Sequence, residues 1–239
     1  MLTFKLRGPA GLKILEAWFA RNGEELRLPG RWPHPLRLFH AERCPSGLIG
    51  HWQRRQTLIT RLATVDDLFA LLSKTVRYDI RRCRDRDGLA IVDDWTPEQV
   101  IAFADEHDPQ NPNRPRLARL EALRAIGRLL IRAAFVEGKP LCVHAIVFND
   151  RIARGLYTYT ARRTVDRSHA ALVGRATKAS DFDTLLHLRD LGLQEYDWGG
   201  FTGRPGNGID AYKREFRGEL RQGWVFTGTN LPGVSTLRF

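Results

Sequence analysis

The residues with the most chemistry to offer lie together near the C-terminus. Lys213 follows a stretch with glycines at 199, 200, 203, 206 and 208, and Tyr212 and Arg214 flank it. Glycines let the backbone turn where side chains would clash, and they let a ligand approach main-chain N–H groups. A lysine beyond such a loop can hold a phosphate or stabilise negative charge on an attacked carbonyl, while Tyr212 offers a stacking face for a base or ribose. Trp198, Gly199 and Gly200 close an aromatic, strand-like start, Glu195-Tyr-Asp-Trp. The bland alternative is a long turn between two strands with an exposed lysine on a strand edge.

A second set of candidates is basic. The chain has 239 residues, with 38 Lys and Arg against 27 Asp and Glu, a net charge of +11. Such a balance favours a polyanionic partner: RNA, a nucleotide-linked substrate, or the anionic surface of a membrane contacted peripherally. Arg77 and Arg81 fall on the polar face of one expected helix, 67–87. Arg124, Arg128 and Arg132 recur every four residues along and just past another, 117–131. Clustered cations gain from counterion release at a phosphate backbone, although the first row reads by itself as a solvated face and the second serves equally as one. The three cysteines, Cys44, Cys83 and Cys142, are far apart and form no Cys-x-x-Cys pair, which points to neither a disulfide framework nor a metal site. His34 and His40 have no ligand partners at metal spacing. His144, in the middle of an expected central strand, reads as a hydrogen-bonded core residue first and a general base second.

The elements that must position these residues follow from periodicity. Hydrophobic content of 43% with six Trp and twelve Phe marks a globular chain. No apolar stretch has the length of a signal peptide core or a membrane span, so a cytoplasmic location is expected. Leu12, Leu15, Trp18 and Phe19 are spaced for an amphipathic helix over 10–22, followed by a proline-rich extended stretch, and residues 1–50 form a segment of undefined role. The main domain, 51–239, begins with a strand at 57–62, an acidic helix start at Asp66-Asp67, helix 67–87 closed by Asp87-Gly88, and a strand at 89–92. Thr96, Pro97 and Glu98 open a helix that runs to about 106. A loop with three prolines, 107–115, forms the edge of a binding site. Strands over 132–137, 141–148 and 152–159, joined by Gly138-Lys-Pro and Asn149-Asp turns, make an antiparallel meander. A helix over 180–191, a strand from 194 and a last strand over 223–229 complete an α/β (α+β) chain with a mixed, largely antiparallel sheet flanked by helices.

Tyr196, Asp197, Gly199, Gly200, Lys213, Phe216 and Gly218 resemble, in order and spacing, the C-terminal signature of the Fem family, the aminoacyl-tRNA-dependent transferases of peptidoglycan cross-bridges. That signature is Tyr-Asp-Phe-Gly-Gly followed by Phe-Lys-x-x-Phe-Gly-Gly. Here Trp198 and Tyr212 stand for Phe, and Arg217 and Glu219 depart from its glycine-rich end. The arginine-rich helix ending in Gly88 also resembles the one that opens a Fem acyltransferase domain. The element order resembles the acetyltransferase fold called GNAT. GNAT enzymes hold a pyrophosphate in an Arg/Gln-x-x-Gly-x-Gly/Ala loop, and Gly174-Arg175-Ala176 matches its second half, with Ala171 at the leading position. The resemblance, over roughly residues 57–226, implies transfer of an aminoacyl or acyl group to a small-molecule or peptide amine. Aminoacyl-tRNA is the donor it favours, with acyl-CoA as the alternative and no bound cofactor or metal. It places Lys213 in catalysis, and Tyr212, Arg214, Gly174, Arg175, Ala176, Trp198, Gly199 and Gly200 around the donor. A non-enzymatic RNA-binding module is the third reading.

Overall fold

A computed structural model describes residues 1–7, 12–29, 32–62 and 67–239, without the side chains of Arg167 and Ser168. Asp66, expected to help open a helix, lies outside the described residues. The chain divides into two compact units. One gathers 1–58, 200–202 and 220–239; the other gathers 59–199 and 203–219.

The first unit is built from strands. β1 (Leu2–Arg7) and β2 (Lys13–Trp18) form an antiparallel hairpin, and β2 runs parallel to β4 (Pro35–Ala41). β4 pairs antiparallel with β11 (Glu219–Asn230), and β5 (Leu48–Arg61) lies on the other side of β11. β3 (Glu25–Arg27) pairs separately with β12 (Thr236–Arg238). Leu15, Ala17, Leu36, Leu38, Phe226 and Phe239 belong to its core. Strands β5 and β11 approach so closely that a Cβ on Gly228 would sit 2.2 Å from the Ile49 carbonyl oxygen.

The helix expected over 10–22 is therefore a strand, β2. Leu15 and Ala17 face the core just named, while Trp18 stacks on Phe39 at 4.3 Å and buried Glu16 meets Arg37. A strand covered on both faces loses its two-residue alternation, so its apolar residues mimic helical spacing.

The second unit carries a sheet in the order β10 (Glu195–Phe201, to Gly199 in this unit), β9 (Ile152–Thr160), β8 (Lys139–Phe148), β7 (Leu129–Val136), β6 (Ala90–Val92). All neighbours are antiparallel except β9 and β10. The expected meander is present, its first turn made by Glu137 and Gly138 at positive φ. Helices α1 (Leu68–Leu71), α2 (Lys74–Asp85), α3 (Pro97–His107), α4 (Leu117–Ala125), α5 (Arg167–Asp190) and α6 (Gly208–Arg214) complete the unit. α5 packs on α2 and on the meander, α3 and α4 on each other and on the meander. α3 has the full capping box, with Thr96 Oγ1 accepting from Gln99 N and Gln99 Oε1 from Thr96 N.

Three expected helices have other bounds. Helix 67–87 is two, because Leu72 is extended and buried, and Asp67 and Ser73 each cap a new start. The helix over 117–131 stops at Ala125: Gly127 takes φ +66°, and Leu129 already pairs with Val147. The row of Arg124, Arg128 and Arg132 therefore does not form. The third, expected over 180–191, begins at Arg167 and runs 24 residues. Small residues in its first half (Ala170, Ala171, Gly174, Ala176) hide the apolar stripe that hydrophobicity detects.

Candidate active site

Strands β9 and β10 pair only from Ile152–Arg154 to Glu195–Asp197, and both run on beyond that point. A cavity of about 1000 Å³ opens there. Gly155–Thr160, Tyr196 and Trp198 line it from the strands, Ala171, Gly174, Lys178 and Asp181 from α5, and Tyr212 and Lys213 from α6. Asn111 and Asn113 of the proline loop also border it, and Tyr159 Oη donates to the Asn113 carbonyl at 2.8 Å.

Lys213 reaches the cavity because a tight corner turns the chain back. Asn207 caps α6, its Oδ1 accepting from Ile209 N at 2.9 Å and Asp210 N at 3.3 Å, while Asp210 accepts from Gly203 N at 2.8 Å. The open glycine segment is thus 202–207. Gly199 belongs to β10 and Gly208 to α6, so the loop is shorter than the sequence suggests. Buried Asp197 accepts from Gly199 N and from Arg154 Nη1, both at 2.7 Å. Gly199 adopts φ +82°, and a Cβ there would lie 3.8 Å from Lys213 Nζ and 3.5 Å from Arg154 Nη2. Burial, and then the neighbouring Arg154, push the Lys213 ammonium down to about 8, against the pull of Asp197 and Asp210. An ammonium so held is easily deprotonated and strongly attracted to a phosphate or a developing oxyanion.

Tyr212 points its hydroxyl at Asp181, to which it donates, and its ring packs 5.5 Å from Phe216. Trp198 packs 4.4 Å from the same ring and donates from Nε1 to Thr60 Oγ1 at 2.8 Å. Lys178 bridges Asp79 at 2.9 Å and Glu215 at 3.1 Å. His144 is buried, as its strand position suggested, and burial holds it below its ordinary pKa. The Cys83 thiol is buried in the core and pushed up to about 11, no nucleophile.

The structure brings together Lys213, Tyr212, Trp198, Gly174 and Arg175 as cavity-lining residues. It does not bring the others there. Arg214 is exposed on α6, Gly200 belongs to the first unit, and Ala176 is buried within α5. Gly174-Arg175-Ala176 sits inside a helix, where its amides bond along the helix axis. The half-motif is therefore not a phosphate loop, and Arg175 pairs with Asp87 at 2.7 Å. Arg77 donates to the Ala70 carbonyl, Arg81 lies over the Phe69 ring, Arg124 is exposed, and Arg128 pairs with Asp150. Reading for sequence motifs missed Arg154, Lys178 and Asp181. Arg154 and Lys178 are charges at inward positions of a strand and a helix, a signal that strand alternation and helical phase can supply once element bounds are right.

No protein-family model matches the chain, and no curated protein sequence does. Among solved structures it is similar to FemX, with TM-score 0.57 and 14% identity over 76% of this chain and 62% of that one. It is also similar to the C-terminal domain of a putative lysylphosphatidylglycerol synthetase from Agrobacterium fabrum, at TM-score 0.54 and 12% identity over 81% and 68% of the two chains. L-PGS from Bacillus licheniformis gives TM-score 0.53 and 10% identity over 80% and 67%. The chain thus spans about three fifths of the FemX chain. What the chain shares with FemX and with these two synthetase structures is the fold. Among the described residues no helix is long and apolar enough to cross a membrane.

Proposed function

We propose that the chain transfers an aminoacyl group from an activated donor, aminoacyl-tRNA, to an amine acceptor inside the β9–β10 cavity. The observation that carries this reading is Lys213: a lysine at the position of the Fem signature, half-buried beside Arg154 on the wall of a cavity large enough for the end of a donor. Its ammonium holds the donor's terminal phosphate or the oxyanion that forms as the amine attacks the ester carbonyl. Attack forms the C–N bond and breaks the ester C–O bond, and the amine releases a proton. Trp198 and Tyr212 give the donor aromatic walls. The acyl-CoA alternative loses the feature that suggested it, because Gly174-Arg175-Ala176 is helical.

Incubation of the purified protein with charged tRNA and, separately, with acyl-CoA tests the reading, following loss of each donor. Discharge of charged tRNA in the presence of an amine is expected. Discharge of acyl-CoA alone would reverse the assignment.

A further inference from the structure

The cavity floor contains a carboxylate without a matching cation. Asp181 lines the cavity at 5% exposure, and the groups beside its oxygens are a phenol, Tyr212, and an imidazole, His144. Tyr212 donates its hydroxyl proton to Oδ2. His144 Nδ1 lies 3.5 Å from Oδ1 and 3.3 Å from Thr158 Oγ1. Cys142, buried behind the histidine, has its sulfur 3.6 Å from His144 Nε2, and burial pushes the thiol up to about 12, so it stays protonated and donates. Nε2 is then the acceptor nitrogen and Nδ1 carries the hydrogen, with Thr158 Oγ1 as its hydrogen-bond partner and Asp181 Oδ1 beside it at 3.5 Å.

Nearby cations are already engaged. Lys178, one turn earlier on α5, bridges Asp79 and Glu215, and Arg132, whose charge the histidine feels, is held by Asp93 and Asp183. Among the described residues Asp181 forms no ion pair with lysine or arginine. Burial raises the Asp181 pKa, and a cation entering the open cavity it faces would favour the ionised carboxylate. Tyr212, its proton committed to Asp181, can only accept hydrogen bonds from a ligand. The Fem signature has Phe at that position, so the polarity is a feature of this chain.

We infer that the floor formed by Asp181, Tyr212 and His144 is a subsite for a primary ammonium group of a ligand, with Asp181 as counter-charge and Tyr212 Oη as acceptor. The inference rests on the transferase reading only for the ligand's identity. The ammonium belongs to the α-amino group of the aminoacyl donor or to the acceptor amine, which share this chemistry.

Binding measured without turnover separates the two sources. Adenosine carrying alanine in amide linkage at its 3′ position, free or N-acetylated, represents the donor, and alaninamide, free or N-acetylated, the acceptor. Titration by tryptophan fluorescence or chemical-shift change should show a preference of tenfold or more for the free amine in one pair, which names the source. Asp181→Asn, which keeps shape and an acceptor for Tyr212, should bring that ratio close to one, and Tyr212→Phe should reduce it. No preference in either pair, no binding of either free-amine probe, or a preference that survives Asp181→Asn would overturn the subsite. Donor discharge without amine discrimination would sink this inference alone; discrimination without discharge would sink the transferase reading alone.

Discussion

Lys178 and Lys213 line one cavity, yet the fold surrounds them in opposite ways. Lys178, on α5, is clamped between Asp79 and Glu215, and these partners outweigh burial and raise its pKa. Lys213, on α6, has Arg154 beside it, and burial together with that repulsion outweighs the pull of Asp197 and Asp210, so its pKa falls to about 8. The first ammonium has its counter-charges inside the protein and serves packing. The second is lowered by burial and by the neighbouring arginine, so its ammonium gives up its proton more readily than an ordinary lysine does. Position on a cavity wall therefore does not set a lysine's protonation; the surrounding balance of burial and charge does.

The comparison breaks most visibly at Lys213. Lys213→Ala should lower aminoacyl transfer tenfold or more, about 1.4 kcal/mol of transition-state stabilisation, without lowering the thermal unfolding midpoint. Single-turnover discharge of charged tRNA measures the first and calorimetry the second; an unaltered discharge rate would remove Lys213 from the mechanism. Lys178→Met should instead act on folding, because it leaves Asp79 and Glu215 facing each other. A loss of about 1–2 kcal/mol is expected in urea unfolding, and an unchanged midpoint would show the clamp to be idle.

Titration sharpens the same contrast. The folded pKa of Lys213 lies below the ordinary 10.5, so between about pH 8 and 10.5 the unfolded chain binds the extra proton and stability rises with pH through that window. Lys178 is raised, so its contribution is complete below 10.5 and is lost as pH climbs through its folded value. If the Lys213 ammonium is the active form, kcat/KM should fall above about pH 8. Arg154→Met removes a repelling charge and frees Asp197, which should move that limb up by about one unit. Identical limbs in the two proteins would assign the titration to another group. The smallest effect belongs to the surface: Arg124→Ala and Arg128→Ala should each lower the salt slope of tRNA binding by about one unit if they meet phosphates. Arg128, already paired with Asp150, is the weaker candidate.

How much of this was legible differs by element. The meander at 129–160, the capped helix at 97–107 and the aromatic-glycine-lysine signature were readable, because each rests on local signals: alternation, turn residues, a capping box, a motif. The β2 strand was not, since burial on both faces erased its alternation, and neither were the early start of α5 nor the break between α1 and α2. The candidate site was legible only at one corner, Lys213 with Tyr212 and Trp198.

By itself the amino-acid sequence determined the fold class, the basic character and the grouping of Lys213 with Tyr212 and Trp198, because these depend on composition and on neighbours along the chain. Tertiary structure alone decided that Gly174-Arg175-Ala176 is a helix interior and that Asp181 shares a floor with Tyr212 and His144. It also decided which of two cavity lysines has its pKa raised and which has it lowered. Those outcomes depend on desolvation and on charges from α2, α5, α6, β8, β9 and β10, residues as far apart as 79 and 215. Charge compensation in a buried site is a property of distances in space, and spacing along the chain does not encode it.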